Sequence, residues 1–352
     1  MVTRCEGGRG KARKKHPLFA IGKNEETIKL AKYFTIEAIL DDGALGREKW
    51  NGMKVIRPSE LPDDAVVINC SSSIAPTSAA KRILYLRPKA KIHNYFNLRE
   101  KHPRKLPNPR FVEEMKKDFK KNLTEWRWLK NIIKERKSKK TLADVCKFRL
   151  TGDPDVLSHY KVQLREQYFD RGLPLSNGEA FVDCGGFDGD TTEEFIRRCP
   201  KYGQVWMFEP SKENLEKAKS RLKGVRDIHF ISKGVADREG VLGFNSGNGS
   251  ASAFSETGNT SIAVTTIDKE IQEPVSFIKM DLEGWEMKAL SGARSHIISD
   301  HPKLAIAVYH RAEDFWKIPR FILGLRSDYQ VLLRHYTEGW SETVMYFIPI
   351  KK

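Results

Sequence analysis

A glycine-rich, acidic segment at residues 181–192, FVDCGGFDGDTT, holds the residues whose types and spacing best suit chemistry. It continues an apolar run and reads D-x-G-x-x-x-G from Asp183 to Gly189, so a strand is predicted to end in a turn that approaches a ligand closely. A second apolar run, 205–208, ends in Glu209. A carboxylate closing the next parallel strand is placed to accept both hydroxyls of a ribose. Together these features predict a nucleoside-binding crevice at the carboxyl ends of parallel strands.

The spacing of the glycines separates two cofactors. A dinucleotide fingerprint reads G-x-G-x-x-G and seats a pyrophosphate on a helix N-terminus. Here Asp183, Asp188 and Asp190 crowd the turn instead. Three carboxylates repel a pyrophosphate but suit the sulfonium and ammonium groups of S-adenosylmethionine. The motif therefore favours a methyl donor over a nicotinamide, and a glycine turn with solvated aspartates is the alternative.

Transfer of a methyl group to an alcohol needs alignment of donor and acceptor, and a proton acceptor helps. Lys279 and Asp281 end an apolar run two residues apart, so they point to one face of a strand. His310 ends the next such run, and its ordinary pKa of about 6.5 suits a base at neutral pH. We predict Asp281, His310 and Lys279 as catalytic residues. A Lys279–Asp281 ion pair that holds the strand end, and a packed histidine, are the structural alternatives.

Asp281, Glu283 and His310 could also hold a hard divalent ion. Nothing in their spacing requires a metal, and we predict none. Glu286 falls in the first turn of the following helix, where a carboxylate favours the helix dipole.

The chain has 352 residues, enough for two domains, and a net charge of +16. Residues 1–15 hold six Lys/Arg against one Glu, and residues 99–150 hold eighteen Lys/Arg against seven Asp/Glu. Such a basic stretch can contact nucleic acid, acidic polysaccharide or anionic lipid. We interpret it as a solvated helix face and expect no nucleic-acid partner. An RNA methyltransferase that uses residues 99–150 is the alternative function.

The five cysteines form no C-x-x-C pair and no zinc-like cluster with histidine, which is typical of a reducing, cytoplasmic compartment. No apolar run approaches the roughly 20 residues of a membrane span. The basic N-terminus lacks an apolar core, so a secretory signal is not predicted.

We predict four segments along the chain. They are a disordered basic tail at 1–15, a Rossmann-like α/β domain at 16–98, a basic helical connector at 99–175 and a catalytic domain at 176–352. In the Rossmann-like domain, apolar runs predict strands at 18–22, 36–42 and 65–73. Asp41 and Asp42 could hold a ribose there, giving a nucleotide- or NAD-binding protein. The turn after the first strand lacks repeated glycines, so we interpret this domain as a nucleotide fold used only for packing.

The connector is predicted to be helical. Seven apolar residues spaced by three or four predict one amphipathic helix over 108–137, whose stripe is interpreted as core or as a domain seam. Two further helices are predicted at 142–150 and 156–169.

From residue 180 onward, strands and helices alternate as a doubly wound sheet requires. Strands are predicted near 180–184, 204–208, 227–231, 275–280, 303–309, 329–334 and 342–349. Helices are predicted near 190–199, 211–223, 285–298 and 313–326. An added hairpin is predicted from 241–244 and 262–266. Seven strands ending in a terminal pair are the layout of class I methyltransferases.

Most of residues 140–350 resemble the FkbM-family methyltransferases. The resemblance is carried by DCGGFDGDTT and FEP, then SKGVAD, GNGSAS and VTTID, then FIKMDLEGWEMKALSGA, and finally YHRAEDFWKIP and ETVMYFIP, in that order. The N-terminal half resembles the Rossmann-like domain that precedes some members.

The resemblance implies methyl transfer from S-adenosylmethionine, commonly to a hydroxyl of a sugar, polysaccharide or secondary metabolite. A small-molecule or glycan acceptor is therefore expected. By position, the donor's amino-acid portion is expected to lie on Asp183, Gly185, Gly189 and Asp190. Glu209 is expected at the ribose, and Asp237 and Ser250 near the adenine.

Overall fold

The computed structural model describes residues 17–245, 253–254 and 260–350, which form two compact units. The first unit comprises residues 17–71 and 76–109, and the second comprises Ser72–Ala75 and residues 110–350. The short segment Ser72–Ala75 belongs to the second unit because its carbonyls accept hydrogen bonds from the backbone of Glu338 and Trp340. Residues 110–175, which the sequence set apart as a connector, are also part of the second unit. The tail predicted at 1–15 lies outside the described residues.

The first unit is a six-stranded sheet with helices. Its strands are β1 (Leu18–Ile21), β2 (Ile36–Leu40), β3 (Lys49–Trp50), β4 (Met53–Ile56), β5 (Val66–Asn69) and β6 (Lys91–Asn94), and its helices are α1 (Glu25–Ala31), α2 (Pro76–Leu86) and α3 (Tyr95–Lys101). The order is β3-β4-β2-β1-β5-β6, and all neighbours are parallel except β3 and β4. The three predicted strands are confirmed. The additional strands are two to four residues long, too short for an apolar run to reveal them.

The second unit contains a seven-stranded sheet and a smaller one. Its strands are β7 (Ala180–Cys184), β8 (Gln204–Phe208), β9 (Ile228–Ile231), β10 (Gly234–Val235), β11 (Gly240–Asn245), β12 (Ala253–Phe254), β13 (Thr260–Thr265), β14 (Phe277–Met280), β15 (Lys303–Ala307), β16 (Tyr329–His335) and β17 (Thr343–Pro349). The main order is β16-β17-β15-β14-β7-β8-β9, with β16 and β17 antiparallel. The doubly wound class I methyltransferase sheet and its terminal pair are confirmed. The added hairpin is also confirmed, because β11 and β13 pair antiparallel.

Nine α-helices of the second unit are described. They are α4 (Arg110–Lys121), α5 (Leu123–Ile132), α6 (Arg136–Thr151), α7 (Asp190–Arg198), α8 (Lys212–Arg221), α9 (Ile267–Glu270), α10 (Glu286–Ser291), α11 (Arg294–Ser299) and α12 (Asp314–Leu325). None of the helices in the described ranges combines the length and the apolar content that crossing a membrane requires.

The single helix predicted over 108–137 is wrong, because it breaks at Asn122 into α4 and α5. The Asn122 side chain donates to Asp118 (2.7 Å), and its backbone leaves the helical region at φ −119°, ψ 33°. The other Asp118 oxygen accepts from the indole N–H groups of Trp126 and Trp316, both at 2.9 Å. Asp118 therefore fixes the break by joining α4, α5 and α12. The apolar stripe is core, since five of its seven residues are buried.

The helix predicted over 156–169 is also wrong. This stretch has only two short 3₁₀ turns, Pro154–Val156 and Leu164–Glu166, while the helix predicted at 142–150 is the second half of α6. The backbone of Gln163 donates to the carbonyl of Tyr336 (3.0 Å) in place of a helical partner. The segment therefore runs along the main sheet, and it delivers Gln167 and Tyr168 to a cleft at the carboxyl ends of the strands.

The helix predicted over 285–298 is divided into α10 and α11 at Gly292. A Cβ on Gly292 would overlap the carbonyl of Ala236, so only glycine allows this approach. The core of the unit lies beneath the main sheet, where Phe181 stacks on Phe195 and Phe277 with ring centroids 4.3 and 4.8 Å away. These rings fix the strand from which the glycine-rich turn emerges.

Candidate active site

The glycine-rich turn leaves the sheet where the strand order changes direction, between β7 and β14. In open α/β sheets a ligand crevice forms at such a point, outside the carboxyl ends of the strands. The backbones of Gly185 and Gly186 donate to the Phe208 carbonyl at 3.1 and 3.0 Å, which ties the turn to β8. Gly189 has φ +85° and precedes α7, a conformation that favours glycine. The turn is thus held by backbone contacts on both sides.

Asp183 and Lys279 face each other in register across β7 and β14. The Lys279 ammonium lies 3.0 Å from Asp183 and also donates to the Gly185 carbonyl at 2.8 Å. Thr192 donates to the second Asp183 oxygen at 2.8 Å. Burial lowers the pKa of Lys279, but Asp183 and Asp281 outweigh it, so the pKa is raised and the ammonium is retained. The structural alternative of a Lys279–Asp281 ion pair is therefore wrong, because the ion-pair partner in register is Asp183.

The three aspartates of the turn are not equivalent. Asp183 is neutralised by Lys279, and Asp188 forms an ion pair with Arg221 at 2.6 Å. Asp190 has no ion-pair partner among the described residues, and burial raises its pKa. The prediction that three free carboxylates face a cationic ligand is thus reduced to one carboxylate.

Glu209 comes directly after β8 and lies behind the turn. Its oxygens accept from the backbone of Phe187 (3.0 Å) and of Ser211 (2.8 Å). It is 6% exposed, and burial raises its pKa. No lysine, arginine or histidine of the described ranges lies within ion-pair distance. Glu209 therefore keeps a carboxylate that is bonded by the backbone and by the side chain of Asn214, without an ion-pair partner in the described ranges.

Asp237 and Ser250 are the residues expected near an adenine, and neither has a described contact with the glycine-rich turn. Asp237 is exposed, on the segment between β10 and β11, and Ser250 lies outside the described residues.

Asp281 is the first residue after β14. The hydroxyl of Tyr168 donates to its Oδ2 at 2.6 Å, and the Tyr309 hydroxyl lies 3.3 Å from the same oxygen. Its Oδ1 lies 3.4 Å from Nε2 of His310. The Tyr309 hydroxyl also lies 3.4 Å from Oδ1, so the carboxylate is oriented by Tyr168 on Oδ2, by Tyr309 between the two oxygens and by His310 beside Oδ1.

His310 lies among carboxylates. Its Nε2 is 3.4 Å from Glu283 as well as from Asp281, and its Nδ1 is 3.0 Å from Glu286. Burial alone would lower the pKa of His310, but Glu286, Glu283 and Asp281 together raise it well above 6.5. His310 therefore does not lie in the unperturbed setting that the sequence predicts for a base. Glu286, interpreted from sequence as a dipole partner, directly faces the ring.

A cleft of about 840 Å³ joins the two groups of residues. Its donor-side wall includes Gly185, Phe187 and Asp190, and its other wall includes Lys279, Asp281, Glu283, Tyr309 and Glu342. This volume is within the range of about 300–1,000 Å³ that small-molecule sites occupy. Glu209 is not among the lining residues, but it holds the backbone of Phe187, which is.

Sequence reasoning missed Gln167, Tyr168 and Glu342. Gln167 donates to Glu342, whose pKa burial raises to about 7, with Asp281 acting in the same direction. Tyr168 and Asp281 are 113 positions apart in the chain. No spacing rule connects residues that distant, although ETVMYFIP, the segment that begins with Glu342, was among those that carried the family resemblance.

The backbone at the cleft is unusual. Six described residues other than glycine have positive φ, and Phe187 (φ 46°), Glu283 (φ 52°) and Glu342 (φ 62°) are three of them. Such conformations cost free energy and persist where the surrounding structure holds them, often at functional sites. All three line the cleft.

Comparison with known proteins is consistent with this geometry. Residues 183–335 match the model of the methyltransferase FkbM domain. A methyltransferase FkbM from Methylobacillus flagellatus KT is 26% identical, with a TM-score of 0.71, and the match covers 94% of this chain and 90% of that one. No curated protein matches the sequence.

Two other solved structures match about half of this chain. An rRNA methylase from Streptococcus thermophilus is 16% identical, with a TM-score of 0.34, covering 50% of this chain and 89% of that one. Aeropyrum pernix fibrillarin, in complex with S-adenosyl-L-methionine, is 13% identical, with a TM-score of 0.34, covering 50% and 69%.

Proposed function

We propose that this chain, which matches the methyltransferase FkbM domain over residues 183–335, transfers the methyl group of S-adenosylmethionine to a hydroxyl. The acceptor that we propose is a sugar, a polysaccharide or a secondary metabolite.

One observation carries the proposal: the turn expected to hold the donor and the polar residues expected near the acceptor line the same cleft. The turn comes from β7, while Asp281 and Tyr309 come after β14 and β15. Two reactants that share one cleft can be aligned for in-line displacement, and alignment can supply about 7–11 kcal/mol of a barrier.

The donor-side roles are argued from charge and burial. Glu209 has no cationic neighbour within ion-pair distance in the described part of the chain, so its carboxylate can accept ribose hydroxyls. Asp190 lines the cleft without a cationic partner and is suited to the donor's ammonium. Lys279 is a positioning residue, because its ammonium is occupied by Asp183 and by the Gly185 carbonyl.

The acceptor-side role falls to Asp281. Its Oδ2 is held by Tyr168, the Tyr309 hydroxyl lies 3.3–3.4 Å from both oxygens, and Oδ1 faces the imidazole of His310. A carboxylate so oriented can accept a hydrogen bond from the acceptor hydroxyl as the methyl group is transferred. His310, 3.4 Å from Oδ1, supports this carboxylate as a positioning residue.

The test uses S-adenosylmethionine labelled with tritium in its methyl group, supplied with sugar and glycan fractions. We expect transfer to a hydroxyl by the unaltered protein and a loss of at least about 100-fold in Asp281→Asn. Glu213→Gln, on the exposed face of α8, serves as the matched control and should keep full transfer. Binding of adenosylhomocysteine without transfer to any fraction would contradict the hydroxyl acceptor. If adenosylhomocysteine does not bind, the proposal that S-adenosylmethionine is the donor would be contradicted.

A further inference from the structure

A cluster of three potential metal ligands lies at the edge of the cleft. One carboxylate oxygen each from Asp281 and Glu283 and one ring nitrogen of His310 lie within 4.8 Å of one another. No other group of three such side chains meets this distance in the described part of the chain. The residues come after β14 and β15, so the fold brings together ligands that the sequence separates.

We propose that Asp281, Glu283 and His310 bind one divalent cation of the Mg²⁺ or Mn²⁺ class, whose open coordination positions receive the acceptor hydroxyl. The inference deepens the proposed function and rests on it for the identity of the acceptor. The binding of the cation itself rests on the geometry of the three side chains.

The imidazole gives an independent indication of a ligand. His310 has a side chain only 7% exposed; its Nδ1 faces Glu286 at 3.0 Å, but its Nε2 makes no hydrogen bond of acceptable geometry. A buried polar group without such a bond costs free energy unless something else satisfies it. Its Nε2 is directed at two carboxylates, each 3.4 Å away. Facial ligands of a cation with bonds of about 2.1 Å lie roughly 3 Å apart, so a small contraction would complete the site.

Two of the three ligands, Asp281 and His310, are oriented by neighbours that the cation would not touch. Tyr168 donates to Oδ2 of Asp281 and leaves Oδ1 toward His310. Glu286 lies 3.0 Å from Nδ1 of His310, and the Leu282 backbone donates to the same Glu286 oxygen at 2.8 Å. Supporting partners of this kind fix metal-binding histidines and carboxylates in known sites.

The charge balance also favours a cation. Asp281, Glu283 and Glu286 place three carboxylates around one imidazole, so with the ring neutral, as a metal ligand must be, the cluster carries an excess of negative charge that a divalent cation would offset. Two carboxylates and one imidazole suit Mg²⁺ or Mn²⁺, which prefer oxygen ligands. The Asp281 and Glu283 side chains are 20% and 29% exposed, so the site is accessible from the cleft.

The test is titration of the full chain with Mn²⁺, with free Mn²⁺ measured by electron paramagnetic resonance. We expect one Mn²⁺ per chain, and affinity at least about tenfold weaker in His310→Gln and in Glu283→Gln. His159→Gln is the matched control, because His159 also lies 3.4 Å from a carboxylate, that of Asp144, but is 52% exposed. It should bind Mn²⁺ as the unaltered protein does.

Absence of stoichiometric Mn²⁺ binding, or equal weakening in His159→Gln, would overturn the metal site. Folding of each variant is checked by thermal unfolding, and Glu283→Gln, the more exposed change, covers the case in which His310→Gln fails to fold. Calorimetry with adenosylhomocysteine in the presence of a chelator separates the two proposals. Donor binding without Mn²⁺ binding rejects only the metal, and Mn²⁺ binding without donor binding rejects only the methyl donor.

Discussion

The two units of the chain each contain a parallel sheet in which a glycine turn comes after the first strand. In the first unit, Gly22 (φ 103°) lies just beyond β1, and a Cβ there would lie 3.1 Å from the backbone nitrogen of Ser71, beyond β5. In the second unit, Gly185 (φ 79°) lies just beyond β7, and a Cβ there would overlap the carbonyl of Asp281, beyond β14. Both glycines are therefore required by close approach of the chain to itself.

The units differ in the residues between this glycine and the next helix. In the first, the turn is only Lys23 and Asn24 before α1; Asn24 donates to the Cys70 carbonyl at 2.7 Å, and Lys23 lies 2.7 Å from Asp41. The bond from Lys23 lowers the pKa of Asp41. In the second, the turn runs to Gly189, and Glu209, the counterpart of Asp41, is bonded by the backbone and by Asn214 and has no ion-pair partner among the described residues.

The comparison shows that strand topology does not by itself specify a ligand site. A carboxylate beyond the second strand is available to a ligand only if the chain does not neutralise it with its own lysine. We therefore retain the prediction that the first unit is a nucleotide fold used for packing, and the Lys23–Asp41 pair supports it.

The largest expected effect tests the buried ion pair against the exposed one. Lys279→Met leaves Asp183 buried without its cation, and we expect a loss of about 3–5 kcal/mol in the free energy of unfolding. Lys23→Met, in a pair 27% and 32% exposed, should cost less than about 1 kcal/mol. Urea unfolding followed by circular dichroism measures both. Equal losses would mean that the two pairs do not differ as described.

The next effect tests donor binding. Glu209→Gln removes the charge while keeping the shape, and we expect adenosylhomocysteine to bind about 10- to 150-fold more weakly, as for a lost charged hydrogen bond. Asp41→Asn, the same change in the first unit, should alter binding less than about twofold. Calorimetry on both variants is the measurement. A comparable loss in Asp41→Asn would assign nucleoside binding to the first unit.

The third prediction concerns the pH dependence of the free energy of unfolding, which we expect His335 of the second unit to influence. Burial, with Arg149 nearby, lowers the pKa of His335 to about 3. The unfolded chain, with a pKa of about 6.5, then binds the extra proton, so stability is complete above about pH 6.5 and falls toward pH 3, by up to about 1.4 kcal/mol per pH unit. His335→Gln should flatten this dependence, as measured by urea unfolding between about pH 7 and 5. Identical slopes in both proteins would contradict the assignment.

The smallest expected effect concerns the first unit, for which we expect no binding of NAD or NADP. Lys23 forms an ion pair with Asp41, and the turn after β1 lacks repeated glycines. Calorimetry with NAD and NADP at about millimolar concentration should therefore show no heat of binding. Heat that disappears in Asp41→Asn would show instead that the first unit binds a nucleotide.

Much of the fold could be predicted from sequence because apolar runs and strand ends are local signals. The strands of the main sheet and the position of Glu209 were predicted from such runs. The break at Asn122 could not be predicted, since it depends on Asp118 meeting a tryptophan of α12. The ion-pair partner of Lys279 could not be predicted either, because it is determined by the register between β7 and β14.

The residues of the cleft could be located from sequence only in part. Asp281 and His310 were identified from strand ends, but their relation to Tyr168 depends on an irregular segment that has no helical or strand pattern. The raised pKa of His310 depends on Glu286 and Glu283, whose approach requires the left-handed backbone at Glu283. Sequence periodicity contains no signal for that conformation.

The segment Ser72–Ala75 matters for any attempt to express the second unit alone. Polypeptide expressed from residue 110 onward would lack these four residues, although the backbones of Glu338 and Trp340 donate to them at 2.8 and 2.9 Å. Those donors lie in the connection between β16 and β17, just before Glu342 at the cleft. The shortened protein would thus lack the acceptors of two backbone hydrogen bonds next to the wall of the cleft. A version of the second unit expressed alone should therefore include residues 72–75, in the same chain or as a peptide.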